Sequence, residues 1–174
     1  MIYVGIDNGV SGTIGIITPL GAWMYKTPTR KVRDYTKKKK YINRVDVDKL
    51  YDVIDRHISR VPREEIVVSI ERPMLNSARF NASISAARSL EATLITLEML
   101  MLEWSYIDSK EWQHALLPEG IKGSVYQKKA SKNIGILTYP HLQEQIEKHG
   151  DADGLLIAEY LKRSDSHIEH LSQL

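Results

Sequence analysis

Short apolar runs bounded by small or polar residues predict the strands of a β-sheet. Residues 1–6, 13–17 and 21–25 are three such runs, and their close spacing predicts a meander with tight, glycine-containing turns. Residues 66–70, with the sequence IVVSI, are rich in β-branched side chains, as is typical of a strand buried on both faces. Residues 105–107 are a further short strand candidate. The pattern therefore predicts one sheet assembled from both halves of the chain.

Periodic apolar positions between and after these strands predict helices. Residues 46–58 carry one apolar stripe, formed by Val47, Leu50, Val53, Ile54 and Ile58. Residues 82–103 predict a longer helix with apolar positions at a 3-4 spacing, namely Ala87, Leu90, Leu94, Leu97 and Met101. Further helices are predicted over residues 108–117, 124–137 and 149–160, with a linker or short helix at 141–148. The mixture of strands and helices predicts an α/β fold.

The long helix is apolar around much of its girth in its second half, because Ile95, Leu100 and Leu102 widen the stripe. Such a helix needs burial on two sides. One side would face the sheet, and the other would face either more of the core or a partner subunit. The length of 174 residues suits a single domain, predicted over residues 1–163, followed by a polar tail at 164–174.

The composition narrows the class of protein. The chain is 43% hydrophobic and 26% charged, as is usual for a soluble globular domain. It has no cysteine, which excludes disulfides and thiolate zinc sites. No apolar run approaches the roughly 20 residues that span a bilayer, and no signal peptide precedes the first strand. We therefore expect a cytoplasmic protein.

The net charge of +2 conceals a strongly basic segment at residues 26–44, which holds nine lysines and arginines against one acid, Asp34. Such a segment is either a solvated connector or a phosphate-binding surface, since clustered cations release counterions from nucleic acid. We favour nucleic-acid binding. The candidate residues in this segment are Arg30, Lys31, Lys37, Lys38, Lys39 and Lys40.

Carboxylates stand at the ends of the predicted buried elements. Asp7 and Glu71 each follow a strand, while Asp151 and Asp153 stand where the last helix begins. Each has an ordinary explanation as a turn cap or a helix N-cap. Several acids in one site, however, need a cation among them, and oxygen ligands without cysteine suit Mg²⁺ or Mn²⁺. Two such ions form the clamp used for in-line phosphodiester cleavage.

The residues around these acids resemble the RuvC-type Holliday junction resolvases of the RNase H-like superfamily, especially phage-like members. The opening GIDNGVSGTIGI is similar to their GIDPGxxGxxG, and VVSIERPM is similar to their strand that ends in glutamate. HGDADGLLIAEYLKR resembles their closing acidic helix, and the segment 112–140 resembles their lysine- and glycine-containing region. The likeness extends from residue 1 to about residue 163. The first motif also occurs in actin-type kinases, so the ordered set of three motifs carries the resemblance.

The resemblance implies an RNase H-like fold with a central mixed five-stranded sheet flanked by helices. It implies that Asp7, Glu71 and Asp153 bind metal, with either Asp151 or His149 as the fourth ligand. We favour Asp151, although residues two apart do not share a regular helix face. The implied cofactor is a pair of Mg²⁺ ions, for which Mn²⁺ would substitute. The implied location is the cytoplasm, or the host cytoplasm if the protein is phage-encoded.

The implied activity is paired cleavage of opposing strands in four-way DNA junctions, leaving 5′-phosphate and 3′-hydroxyl ends. A homodimer formed through the 82–102 helix would suit the symmetry of a junction. Outside the basic segment, the residues expected to hold DNA are Arg79, Lys110, Lys122, Lys128 and Lys129. The chain departs from the family at Asn8, where proline is usual. It also offers only Met74 and Phe80 for the family's aromatic wedge.

Two other functions remain open at this point. The substrate is either a junction or a broader set of branched, flapped or RNA-containing duplexes. Alternatively, the protein is a junction-binding module with an impaired site, because the position of its fourth acid is irregular. An actin-type ATPase is excluded, since a second domain does not fit within 174 residues.

Overall fold

A mixed five-stranded sheet forms the centre of the molecule. The computed structural model describes residues 1–35 and 40–171, with side chains as far as Ser166. The sheet has the order β3-β2-β1-β6-β7 and consists of β1 (Ile2–Ile6), β2 (Thr13–Thr18), β3 (Gly21–Lys26), β6 (Ile66–Glu71) and β7 (Ser105–Ile107). The first three strands are an antiparallel meander, whereas β6 runs parallel to β1 and β7. The predicted α/β architecture with a central mixed sheet is confirmed.

Six helices cover the two faces of the sheet in the described part of the chain. They are α1 (Val47–Ile58), α2 (Phe80–Met99), α3 (Ser109–Leu116), α4 (Ser124–Thr138), α5 (Gln143–His149) and α6 (Asp153–Leu171). One core lies between the sheet and the first two helices, and a second lies between the sheet and the other four. All five residues of β1 are buried, which confirms it as the central strand.

Helix α6 approaches the sheet so closely that side chains are excluded from the contact. A Cβ atom on Gly5 would lie 2.3 Å from the carbonyl oxygen of Gly154, and one on Gly15 would lie 2.3 Å from Leu155 Cα. A Cβ on Gly154 would lie 2.4 Å from the carbonyl oxygen of Thr13. These distances are far inside van der Waals contact, so glycine is required at all three positions. The contact fixes the start of α6 beside the ends of β1 and β2.

Helix α2 buries the predicted stripe only in part, together with a neighbouring row of hydroxyl-bearing residues. Leu97 is buried, and Leu90 and Leu94 pack against the core. Its buried residues are Ser89, Ala92, Thr93, Thr96 and Leu97. The buried hydroxyl groups donate hydrogen bonds to the carbonyl four residues earlier, as Thr96 does to Ala92 at 2.8 Å, and this lets polar side chains occupy the core side. Ala87 and Met101 are exposed instead. The helix also ends earlier than predicted, because the chain turns at Met101 with a φ of 55°.

Part of the basic segment forms a two-stranded hairpin outside the main sheet. Strand β4 (Thr29–Arg33) pairs antiparallel with β5 (Tyr41–Val45). The sequence did not predict these strands, since their exposed positions are charged and the apolar alternation is weak. Lys37, Lys38 and Lys39 lie outside the described residues.

The C-terminal region is more helical than the sequence predicts. Residues 164–171 continue α6, where a polar tail was expected. The hydroxyl group of Tyr3 donates a 2.8 Å hydrogen bond to Asp165, which ties this extension to the central strand. In the described residues, no helix has the length and apolarity needed to cross a membrane.

Candidate active site

Four carboxylates meet at one edge of the sheet. Asp7 follows the last residue of β1, and Glu71 is the last residue of β6. Because these two strands are parallel neighbours, their carboxyl ends lie at the same edge. The start of α6 brings Asp153 to this edge, and Asp151 lies in the short link between α5 and α6. The structure therefore brings together all four acids that were predicted as site residues.

Three of these acids form a tight cluster. Asp7, Asp151 and Asp153 each offer a carboxylate oxygen, and these atoms lie within 4.8 Å of one another. Glu71 stands outside this cluster but lines the same cleft, of about 530 Å³, as Asp7 and Asp153. Asp151 precedes the first helical residue of α6, so the rule that residues two apart diverge on a helix does not apply to it.

Backbone contacts hold the acids in place. A Cβ atom on Gly12 would lie 2.0 Å from the carbonyl oxygen of Asp7, so the turn after β1 requires glycine there. The N–H of Gly154 donates to Thr13 Oγ1 at 2.9 Å, and the N–H of Ala152 donates to Ser131 Oγ at 3.1 Å. Thr13 and Ser131 were not predicted as supports of the site, because a single hydroxyl group in an apolar segment does not stand out in the sequence.

Burial and mutual repulsion make the negative charge of the cluster costly. Burial, assisted by the charges of Asp153, Glu71 and Asp151, raises the pKa of Asp7 well above its usual 3.8. Burial, together with the charges of Asp153 and Asp151, raises the pKa of Glu71 to about 7. Burial and Asp151 raise the pKa of Asp153 to about 6. The cleft therefore favours either bound protons or a bound cation.

Two buried carboxylate oxygens face the cluster without a satisfactory donor among the described residues. Asp153 Oδ1 has no hydrogen-bond partner there. Asp151 Oδ1 lies 3.2 Å from His149 Nε2 but makes no hydrogen bond of good geometry. Buried polar atoms are normally satisfied, so an unsatisfied one needs an explanation, of which a bound ion is one. This all-oxygen set fits Mg²⁺ or Mn²⁺.

Lys128 and His149 both contact Asp151. Lys128 Nζ lies 2.6 Å from Asp151 Oδ2, which is a short, charge-assisted hydrogen bond. Burial lowers the pKa of His149 below 6.5, so its close approach to Asp151 is that of a neutral imidazole. His149 does not belong to the 4.8 Å cluster. Asp151 thus belongs to the carboxylate cluster, whereas His149 is only a neighbour of Asp151.

A second depression, of about 600 Å³, adjoins the acidic cleft. It is lined by basic side chains, including Lys26, Lys128 and Lys148, together with His149 and Asp151. The two depressions share Ser11 and Lys128. Lys148 was not among the predicted site residues, since a lysine in a polar segment does not stand out.

The other predicted DNA-binding cations are dispersed. Arg30 and Lys31 are exposed on β4, and Lys40 immediately precedes β5. Outside the hairpin, Arg79 lies just before α2, Lys110 lies on α3, Lys122 lies in the following loop, and Lys129 lies on α4. Of the predicted cations that the structure describes, only Lys128 lines the acidic cleft. Arg72, which the sequence analysis missed, also lines it and lies 3.4 Å from Asp108.

The comparisons with known proteins rest on structure alone. No protein-family model matches the sequence, and no curated protein does. The chain is similar to a solved structure of T. thermophilus RuvC in complex with a Holliday junction substrate, with 14% identity, a TM-score of 0.51, and coverage of 94% of this chain and 96% of that one. A second Thermus thermophilus RuvC structure has 15% identity, a TM-score of 0.45, and coverage of 94% and 97%. The first of these likenesses shows that the chain has the RuvC-like variant of the RNase H-like fold, here with an acidic cluster at the edge of its sheet.

Proposed function

We propose that this protein is a metal-dependent endonuclease that resolves four-way DNA junctions by cleaving opposing strands. The observation that carries the proposal is the cluster of Asp7, Asp151 and Asp153, whose carboxylate oxygens lie within 4.8 Å of one another. Glu71 lines the same cleft. The likeness in fold to a RuvC structure that holds a Holliday junction substrate supports the choice of substrate.

The residues proposed to hold Mg²⁺ are Asp7, Glu71, Asp151 and Asp153. Bound there, Mg²⁺ would polarise a phosphodiester and lower the pKa of water, the chemistry of hydrolysis that leaves a 5′ phosphate and a 3′ hydroxyl. We choose Asp151 over His149 as the fourth ligand, because only Asp151 belongs to the oxygen cluster. His149 is then a neutral neighbour of Asp151 and not a ligand.

The DNA backbone is proposed to cross both depressions. Lys128 lies where they meet, and Lys26 and Lys148 line the basic one. Cations beside an acidic metal site allow a polyanionic strand to approach despite the carboxylates. Arg72 also lines the acidic cleft and offers a further phosphate contact.

We also propose that two copies pair through the C-terminal half of α2. A junction requires two cuts, whereas the described residues of one chain hold one acidic cluster. Ile95 on α2 is 41% exposed, Met99 is 53% exposed, and Met101, just beyond the helix, is 74% exposed. Apolar side chains gathered at one end of a helix are typical of a protein interface.

The proposal is tested by measuring nicking of a four-way junction, a flap and a linear duplex side by side in Mg²⁺. We expect the junction to be cut preferentially, and chelation of the metal to stop the reaction. Asp7→Asn should lower the cleavage rate at least 1000-fold, on the scale of losing an electrostatic catalytic group, while junction binding persists. Equal cutting of all three substrates would favour a general debranching nuclease. Binding without cutting would favour an impaired module, and unchanged cutting by Asp7→Asn would refute the site.

A further inference from the structure

A third groove, separate from the acidic cleft, lies between the β4–β5 hairpin and the first turns of α2. It has a volume of about 420 Å³ and is lined from the hairpin side by Tyr35, Tyr41 and Arg44. Arg88 and Phe80 line it from α2. Such a space accommodates one or two nucleotides and is too small for a duplex.

Aromatic rings stand exposed along this groove. Tyr35 is 82% exposed and Tyr41 is 68% exposed. The guanidinium of Arg88 lies 5.5 Å from the centre of the Tyr35 ring, a cation–π arrangement that presents a flat charged group beside a flat ring. Exposed aromatic rings interleaved with arginines are the features on which unpaired bases stack.

The positive charge of the hairpin favours a polyanion as the ligand of this groove. Its described residues carry one acid, Asp34, against five cations, namely Arg30, Lys31, Arg33, Lys40 and Arg44. Arg88 adds a further positive charge on the α2 side. A second copy of this hairpin would bring like charges together across a symmetric interface, which disfavours self-association here.

The groove adjoins the acidic cleft. Asn8 Nδ2 donates a 3.2 Å hydrogen bond to the carbonyl of Ala86 on α2, and both residues line the acidic cleft. Val10, in the same turn as Asn8, lines the groove, as does Ser85, the neighbour of Ala86. The turn after β1 and the start of α2 therefore separate two adjoining sites.

We infer that the groove binds unpaired nucleotides of single-stranded DNA, with bases stacked on Tyr35 and Tyr41 and phosphates held by Arg44 and Arg88. Flaps and opened branches carry unpaired nucleotides beside the branch point, so the groove would hold a strand that leaves such a branch beside the acidic cleft. This role rests on the proposed function for its biological substrate, although binding itself needs neither metal nor cleavage.

The test is the affinity of a fluorescently labelled oligothymidine, measured by anisotropy in EDTA. Tyr41→Ala and Arg88→Ala should each weaken binding about 10-fold, whereas Tyr41→Phe should bind within about 2-fold of the wild type. Arg44→Ala should reduce the slope of log affinity against log salt by about 0.7, as expected for one lost phosphate contact. Matched controls are Tyr126→Ala and Arg60→Ala, both exposed and outside the groove, which should leave the affinity unchanged.

Thermal unfolding monitored by circular dichroism establishes that each variant is folded. If Tyr41→Ala does not fold, Arg44→Ala and Arg88→Ala still test the inference. Wild-type affinity in Tyr41→Ala and Arg88→Ala, or equal losses in the controls, would overturn the inference. A change in self-association without a change in oligonucleotide affinity would overturn it too. Oligonucleotide binding by a protein that never cuts a junction in Mg²⁺ would support this site while refuting the proposed function.

Discussion

At the scale of single residues, the acidic cleft lowers the stability of the metal-free protein, because it brings together carboxylates that can bind a cation. Asp7, Glu71 and Asp153 all have raised pKa values because burial and neighbouring acids penalise their charged forms. The charge of Lys128 lowers each of these pKa values, and its amino group forms a salt bridge with Asp151. One lysine does not balance four carboxylates. The metal-free protein should therefore be least stable where the acids ionise.

The first prediction concerns pH and the free energy of unfolding without metal. The folded-state pKa values of Asp153, about 6, and Glu71, about 7, exceed the unfolded values, so the folded state binds more protons. Their stabilising contribution is complete below about pH 4 and is lost as pH rises through 6 to 7, by roughly 3 kcal/mol per carboxyl. Urea unfolding in EDTA at several pH values measures this. Asp153→Asn should flatten the decline, and a profile that rises across this range would contradict the account.

The second prediction separates Asp151 from His149. If Asp151 is the ligand, Asp151→Asn should lower the cleavage rate at saturating DNA at least 100-fold. His149→Ala removes only a neighbour of that ligand and should cost about 10-fold, mainly as a higher Mg²⁺ requirement. The measurement is the cleavage rate as a function of Mg²⁺ concentration. A larger loss in His149→Ala than in Asp151→Asn would reverse the assignment.

At the scale of elements, the position of α6 decides where Asp153 lies. The helix rests on Gly5 and Gly15 without intervening side chains, and its own Gly154 contacts Thr13. This contact sets the distance between Asp153 at the start of α6 and Asp7 at the end of β1. The glycines in the opening motif thus serve the packing of the acidic helix as well as the turn.

The third prediction tests this packing. In Gly15→Ala the new Cβ would lie 2.3 Å from Leu155 Cα, which is backbone that must shift, so the variant should lose at least about 3 kcal/mol of unfolding free energy. Cleavage by the folded fraction should fall too, as Asp153 moves away from Asp7. Gly120→Ala is the control, because its Cβ meets nothing within 4 Å and only its φ of 79° is unfavourable. It should lose about 1 kcal/mol. Equal losses in both variants would refute the packing argument.

The sequence predicted the elements that have a clear apolar period and missed those that do not. Strands β1, β2, β3, β6 and β7 were predicted from their apolar character, and α1 from its stripe. The hairpin of β4 and β5 was missed, because its exposed positions are lysine and arginine. The stripe of α2 was predicted in part, because Leu97 is buried and Leu90 and Leu94 pack against the core. The burial of Thr93 and Thr96 was missed, since their hydroxyls are satisfied within the helix. The four acids were found because each stands at the end of an element.

The sequence could not predict contacts between residues that are far apart along the chain. The contact of Lys128 with Asp151 joins residues 23 apart, and the support of Gly154 by Thr13 joins residues 141 apart. The choice between Asp151 and His149 also required the fold. Gly150 takes a left-handed φ of 104° and ends α5, so Asp151 lies in the link before α6, where its carboxylate reaches the cluster.

At the scale of the whole molecule, the acidic cleft, the basic depression and the groove beside the hairpin adjoin one another around the turn after β1. Asn8 and Ser11 border these sites. The exposed apolar residues of the proposed dimer surface lie at the end of α2 opposite to the residues that line the groove. A pair of such clefts related by two-fold symmetry would match the near two-fold symmetry of a four-way junction.

The most direct test is mapping of the cleavage positions on a mobile four-way junction in Mg²⁺, with each strand labelled in turn. We expect two cuts at symmetric positions in opposing strands, with 5′-phosphate and 3′-hydroxyl ends. We expect no cuts with Asp7→Asn. Intact strands in Mg²⁺ and in Mn²⁺, or the same cuts from Asp7→Asn, would contradict the proposed function.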